Sequence, residues 1–470
     1  MKHFASHRSL NGFRIAARAA ILAGTIAAGM SAALAQVAFD APDTAYAGQV
    51  RAQAARPGAP ILPGSKVKIV GDKFKPGQEI TLSRGIVPLV DPLKADGEGK
   101  FEATFDLPAD AAVGTHPLVL STQAPYNAAI VELKVSPDIA ISGTEKFDSQ
   151  SAKLVPGLYQ TAYSARNDVL FVTSAVGRPP VKESALLKVD PNTLEIVARA
   201  TPGEAPTQGE RGGGVYAVYG VAVDDENGNV WVGNTRQDTV AVYKQDDLSL
   251  VKQFEPGATP HSRDIVIAAG KAFVSTIGTP VVIVFDAKTL EPAEPIKIRS
   301  GKRGEEFSPA SLEYDAKNNK LFAVSLSTAE VAIIDVAAGK VEKVIPVAGA
   351  KGTIGIAYDG ETNRIFVAGQ GSDSVAIVDA ASGETIKNVL VGAGSLNVAF
   401  EPVKRLAYVA NRGAGTVTVL DTDGNIVANL ENGPMPNHLH EDGKGNVFVV
   451  NKGRGEDEAS DRIVRLTLKD

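Results

Sequence analysis

The stretch VWVGNTRQDTVAVYKQDDLSLVKQFEPGATPHSRDIVI, residues 230–267, decides the fold. An apolar run, WVGN, meets a polar turn. A second run, TVAVY, follows, and RDIVI opens the next unit after a Gly- and Pro-containing connection. The same core recurs along the chain as FVTS at 171, WVGN at 231, FVST at 273, FAVS at 322, FVAG at 366, YVAN at 408 and FVVN at 448. Successive cores are 60, 42, 49, 44, 42 and 40 residues apart. A second apolar strand follows most of them (TVAVY, VVIVFD, EVAIID, SVAIVD, TVTVLD). Another precedes each, as in YGVAVDDENGN, IGIAYDGETN and NVAFEPVK. Seven copies of a unit of about four short strands, with a period in the forties, predict a seven-bladed β-propeller.

The aromatic-Val-x-Asn strand followed by TVAV resembles the YVTN repeats, and residues 230–267 are similar to the matching stretch of the YncE-like periplasmic propellers. The resemblance spans about residues 140–470. The motif is degenerate in FAVS and FVAG, and the first step is lengthened by GRPPVKES and EAPTQGERGGG. The resemblance implies a periplasmic propeller, and it carries single-stranded DNA binding as an expectation.

In front of the propeller, residues 56–138 hold short alternating runs (SKVKIVGDKF, QEITLSRG, KFEATFDLP, THPLVLST, AIVELKVSP) separated by PG, DGEG and PADAAVG. This spacing predicts a small antiparallel sandwich and resembles bacterial Ig-like domains at the level of pattern. The fold class is therefore all-β: a seven-bladed propeller over 139–470 with an N-terminal Ig-like sandwich over 56–138. Residues 36–55 lack strand alternation and read as a linker. Residues 1–35 carry Lys2, Arg8, Arg14 and Arg18, then an Ala/Gly-rich apolar run ending in Ala33-Leu34-Ala35. That is the pattern of a cleavable signal peptide and predicts a periplasmic location, with no transmembrane segment after cleavage.

The chain has 48 basic and 54 acidic residues. Removal of 1–35 takes away four basic residues and no acidic ones, leaving 44 against 54, net −10. A global attraction to nucleic acid or anionic membrane is absent, so any anion site is a local basic patch. There is no cysteine, which excludes thiol chemistry and leaves core burial as the source of stability. No G-x-S-x-G, H-E-x-x-H or P-loop is present.

In a propeller the loops entering the innermost strands and the loops joining second to third strands open on one face. At those positions stand Arg211, Tyr216, Asn234, Arg236, His261, Arg263, Asn397, Arg412, His438, His440 and Lys452, the candidate ligand contacts. Arginine forks there suit carboxylates and phosphates, with Tyr216 or Tyr219 available for stacking. If the strand starts regularly, His261 and Arg263 share a face and contact ligand, while Asp264 ties blade to blade. His438 and His440 share a strand face; with His261 they form a weak candidate metal set. Ser262 cannot readily hydrogen-bond its neighbour His261, so HSRD is not a nucleophilic pair. DTDGN at 421–425 lacks the acidic twelfth position of a calcium loop and reads as a turn.

The expectation is a monomeric, non-enzymatic binding protein without cofactor, which captures an anionic ligand or an envelope component at the propeller mouth; single-stranded DNA is one such ligand. Two alternatives stand beside it: a propeller enzyme (hydrolase, lyase or dehydrogenase-associated subunit) using channel histidines, and an envelope interaction scaffold.

Overall fold

The structure, a computed structural model, describes residues 39, 43, 45–207, 212–453 and 457–469. The predicted signal segment, residues 1–35, lies outside the described residues. Residues Tyr46–Asp470 form one unit.

Seven four-stranded antiparallel sheets run through this unit. Their innermost strands are Leu158–Ser164, Val218–Asp224, Ser262–Ala268, Pro309–Asp315, Thr353–Asp359, Ser395–Glu401 and Pro436–Glu441, here called blades 1 to 7 in that order. Blades 1 to 6 are consecutive in sequence. Blade 7 borrows its outer strand, Phe147–Lys153, from the start of the propeller and pairs it with Arg462–Leu468. This closes the ring with hydrogen bonds between its two ends.

The repeated cores form the second strand of each blade. Their alternating Val, Ala and aromatic residues face both sides because every blade is sandwiched between two others. Apolar clusters accordingly sit between adjacent blades. Trp231 of blade 2, for instance, is buried with Phe254 of its own blade and Phe285 of blade 3, ring centroids 5.8 and 5.7 Å away. Near the channel the blades approach so closely that two inner strands require glycine. A Cβ on Gly220 would stand 2.7 Å from the Arg263 carbonyl oxygen, and one on Gly355 would stand 2.6 Å from Asn397 Cα.

Two further sheets make a sandwich around a core that includes Val67, Ile69, Leu82, Phe101 and Leu118. Residues 36–55, expected as a linker, are not one throughout. Gln49–Ala54 is a strand that pairs with Lys66–Asp72, from Gln49 opposite Asp72 to Ala54 opposite Val67. Val50, Ala52 and Ala54 turn toward the core. Two of these three are alanines, too weakly apolar to make the alternation stand out in the sequence.

The sandwich is tied to blades 5 and 6. Lys134 Nζ donates to the Gln370 carbonyl at 2.7 Å and to the Asp373 carboxylate at 2.6 Å. Asp373, whose side chain is 2% exposed, also accepts the Gly394 N–H at 2.6 Å. On blade 6, Asn429 Nδ2 donates to the Ile139 carbonyl at 2.8 Å. No helix among the described residues is long and apolar enough to cross a membrane.

Candidate ligand site at the propeller mouth

Each innermost strand carries the same local irregularity. Its first residue pairs with the second strand, the register slips, and pairing resumes two or three residues later. A bulge of this kind re-aims side chains. In blades 1 to 3 the second residue of the strand is thereby delivered to the mouth, and the third to the boundary between blades.

At the second position blades 1, 2 and 3 present Tyr159, Tyr219 and Arg263. The two tyrosine rings meet edge to face at 4.8 Å. Lys452 Nζ lies 5.0 Å from the Tyr159 ring centre and 5.6 Å from that of Tyr219. Arg236, from the loop after WVGN, lies 5.7 Å over the Tyr219 ring, and its Nε donates to the Tyr219 hydroxyl at 3.3 Å. Arg263 is 8% exposed, and its Nη1 is buried without a hydrogen-bond partner. A buried guanidinium nitrogen left unmatched is costly and marks a place where an acceptor belongs.

The electrostatics of this cluster are one-sided. Burial, then the charges of Arg412 and Arg236, push the Lys452 ammonium down to about 8 against the opposing pull of Asp461. Arg412, half-buried, thus adds its charge to the same patch. His261 stands exposed at the rim. The protein mass around it lowers its pKa, as do Arg236 and Arg263, while Asp238 opposes them.

The expected pairing of His261 with Arg263 on one strand face fails. His261 has a left-handed backbone (φ 44°), held by a 2.7 Å hydrogen bond from its N–H to the Asp238 carboxylate. The strand begins only at Ser262, and the register slips between Ser262 and Ile265. Two-residue alternation therefore does not carry from 261 to 263. Ser262 is buried, its Oγ donating to the Thr239 carbonyl at 3.1 Å. Asp264 faces the channel, and its carboxylate accepts the Leu312 N–H of blade 4 at 3.0 Å. Similar links join other blades: Gln160 Oε1 accepts the Val221 N–H at 3.0 Å, and Asn437 Nδ2 donates to the Tyr159 carbonyl at 2.6 Å.

The remaining candidates divide. Arg211 lies outside the described residues. Tyr216 is buried in the loop before the blade 2 inner strand, its hydroxyl pKa raised by burial and by Glu255; the rings under Arg236 and Lys452 are Tyr219 and Tyr159 instead. Asn234 is buried, its Nδ2 donating to Gln253 Oε1 at 3.1 Å. Asn397 donates to the Asn437 carbonyl at 3.2 Å. Asn397, His438 and His440 wall the channel rather than the mouth.

The three histidines suggested as a metal set are not brought together. His261 is at the rim, the other two are in the channel, and among the described residues no group of three or more His, Cys, Asp or Glu could hold a metal ion. Within the channel, burial drives His438 well below the ordinary imidazole range and His440 to about 4, so both are neutral.

No family model matches the chain. Two curated relatives do. The uncharacterized protein YncE of Salmonella typhimurium is 25% identical over 332 residues, 66% of this chain and 88% of the relative; that of Salmonella typhi matches equally. Among solved structures, the RRP9 WD40 repeats superpose with a TM-score of 0.55 at 10% identity, covering 71% of this chain and all of that one. Virginiamycin B lyase from Staphylococcus aureus gives 0.52 at 12% identity, covering 69% and 100%. Hydrazine synthase of Kuenenia stuttgartiensis gives 0.52 at 16%, covering 64% and 94%. These structural likenesses establish the propeller fold and nothing about chemistry.

Proposed function

We propose that this chain, a YncE-like β-propeller, is an exported binding protein that captures an anionic ligand at the propeller mouth. The observation that carries the reading is a lysine and an arginine packed on two tyrosines, with Arg263, buried with Nη1 unmatched, sharing His261 with Arg236 as an electrostatic neighbour. An oxyanion would accept from Arg263 and Arg236 and neutralise Lys452. Single-stranded DNA meets the description as a polymer, with phosphates for the three cations and bases for Tyr159 and Tyr219. The expectation of export rests on the pattern of residues 1–35. The acidic balance of the whole chain, net −6, confines binding to this patch.

The test is a fluorescence-anisotropy titration with a short oligothymidylate at 50 to 200 mM salt. Three phosphate contacts give a log–log slope of about −2, an affinity loss of roughly 20-fold over that range. An affinity indifferent to salt refutes phosphate capture. Binding of inorganic phosphate without the oligonucleotide keeps the anion site and removes the DNA version.

A further inference from the structure

The half of the channel away from the mouth encloses a second concavity of about 290 Å³. None of Tyr159, Tyr219, Arg236, Arg263 or Lys452 belongs to its wall. The polar part of that wall includes Thr161, Asp264, Ser311, Glu313 and Glu441 beside Asn397 and the two histidines; Tyr314 and Phe400 are among its aromatic walls. This chemistry is the inverse of that at the mouth.

Two observations point to an absent occupant. Ser311 is 4% exposed and Thr161 is 0% exposed; both wall the cavity, and neither hydroxyl has a hydrogen-bond partner. Buried hydroxyls of this kind are nearly always matched. The carboxyl groups also converge, and the charges acting on Glu313 and Glu441 are all acidic: Glu441, Asp264 and Asp315 on Glu313, and Asp442 and Glu401 on Glu441. Arg263 acts on Asp264 from the mouth side. Lys444 sits at the outer rim, engaged with Asp168 and Tyr163 at 2.9 and 2.7 Å. The two channel histidines, held neutral by burial, bring no positive charge.

We propose that this cavity binds a primary alkylammonium ion, with Glu313 and Glu441 as its carboxylates and the Ser311 and Thr161 hydroxyls as neutral acceptors. Three N–H donors on one compact charge match an acceptor-rich wall. The aromatic sides suit the alkyl portion and the adjacent charge. Burial favours the protonated form of Glu313; on binding, the carboxyl proton leaves to solvent and the ammonium donates a charge-assisted hydrogen bond to the carboxylate in its place.

Isothermal titration of the full chain with putrescine at pH 7.5 tests this, with tetramethylammonium as the probe that has charge but no N–H donors. Putrescine is expected to bind and tetramethylammonium to bind at least tenfold more weakly. Glu313→Gln and Glu441→Gln are each expected to weaken putrescine tenfold or more, with melting curves showing that both variants fold. Absence of putrescine binding, equal binding of the two amines, or full binding by folded Glu313→Gln overturns the proposal.

Discussion

Glu313→Gln changes stability in a direction opposite to the usual loss of a charged residue. Glu313 is pushed up to about 8 from 4.5, first by burial and then by Glu441, Asp264 and Asp315. Glu313 is half-buried in the channel wall, and burial is the largest cause of the shift. The folded state therefore keeps a proton that the unfolded chain gives up. Stability from this group is intact below about pH 4.5 and is lost as pH rises toward 8. Full loss over that window corresponds to about 5 kcal/mol. At pH 5 the cost is about 1 kcal/mol and at pH 8 about 4 kcal/mol. Glutamine has nearly the same shape and never ionises. Against any constant offset from its amide, the variant should gain about 3 kcal/mol on the wild type between pH 5 and pH 8. Urea denaturation of both proteins at pH 5, 6, 7 and 8 reads this difference. A gap that stays constant with pH, or that closes as pH rises, refutes the reasoning.

Trp231→Ala empties the interface of blades 2 and 3, where the ring is fully buried against Phe254 and Phe285, and should cost about 3–5 kcal/mol in the same denaturation assay. Lys134→Ala strips the partner from a nearly fully buried Asp373, at a cost of about 3–5 kcal/mol; hydrogen exchange should accelerate at Gly394, whose N–H that carboxylate holds. Lys452, pushed down to about 8, loses its proton in the free site as pH rises through that value, whereas a bound anion retains it. Anion affinity should therefore fall about tenfold from pH 7 to pH 9, and Lys452→Met should abolish that dependence.

The blades were legible because WVGN and its relatives put an aromatic and a valine at fixed spacing on a doubly buried strand. The borrowed outer strand of blade 7 was not, since Phe147–Lys153 (FDSQSAK) is mostly polar and exposed. At the site, the basic residues of the second-to-third-strand loops, Arg236, Arg412 and Lys452, were found from their place in the repeat. The sequence alone does not separate Tyr159 and Tyr219 from Tyr216, because the bulge fixes which residue of the inner strand reaches the mouth. Aligning Tyr159, Tyr219 and Arg263 as second residues of successive inner strands is the signal that finds them. The expectation for His261 fails for a related reason: two-residue alternation does not pass through a residue with positive φ. Glu313 carried no signal at all, lying in SLEYD, an ordinary strand pattern with its glutamate turned into the channel.

The claim on which the account turns is that the mouth is an anion site anchored by Arg263. Titration of oligothymidylate and of inorganic phosphate into the wild type and Arg263→Met at 50 mM salt tests it most directly. Removal of a guanidinium whose Nη1 is unmatched should leave folding intact. At least one of these anions should bind the wild type, and bind Arg263→Met at least tenfold more weakly. Equal affinity in a folded variant, or no binding of either anion to the wild type, contradicts it.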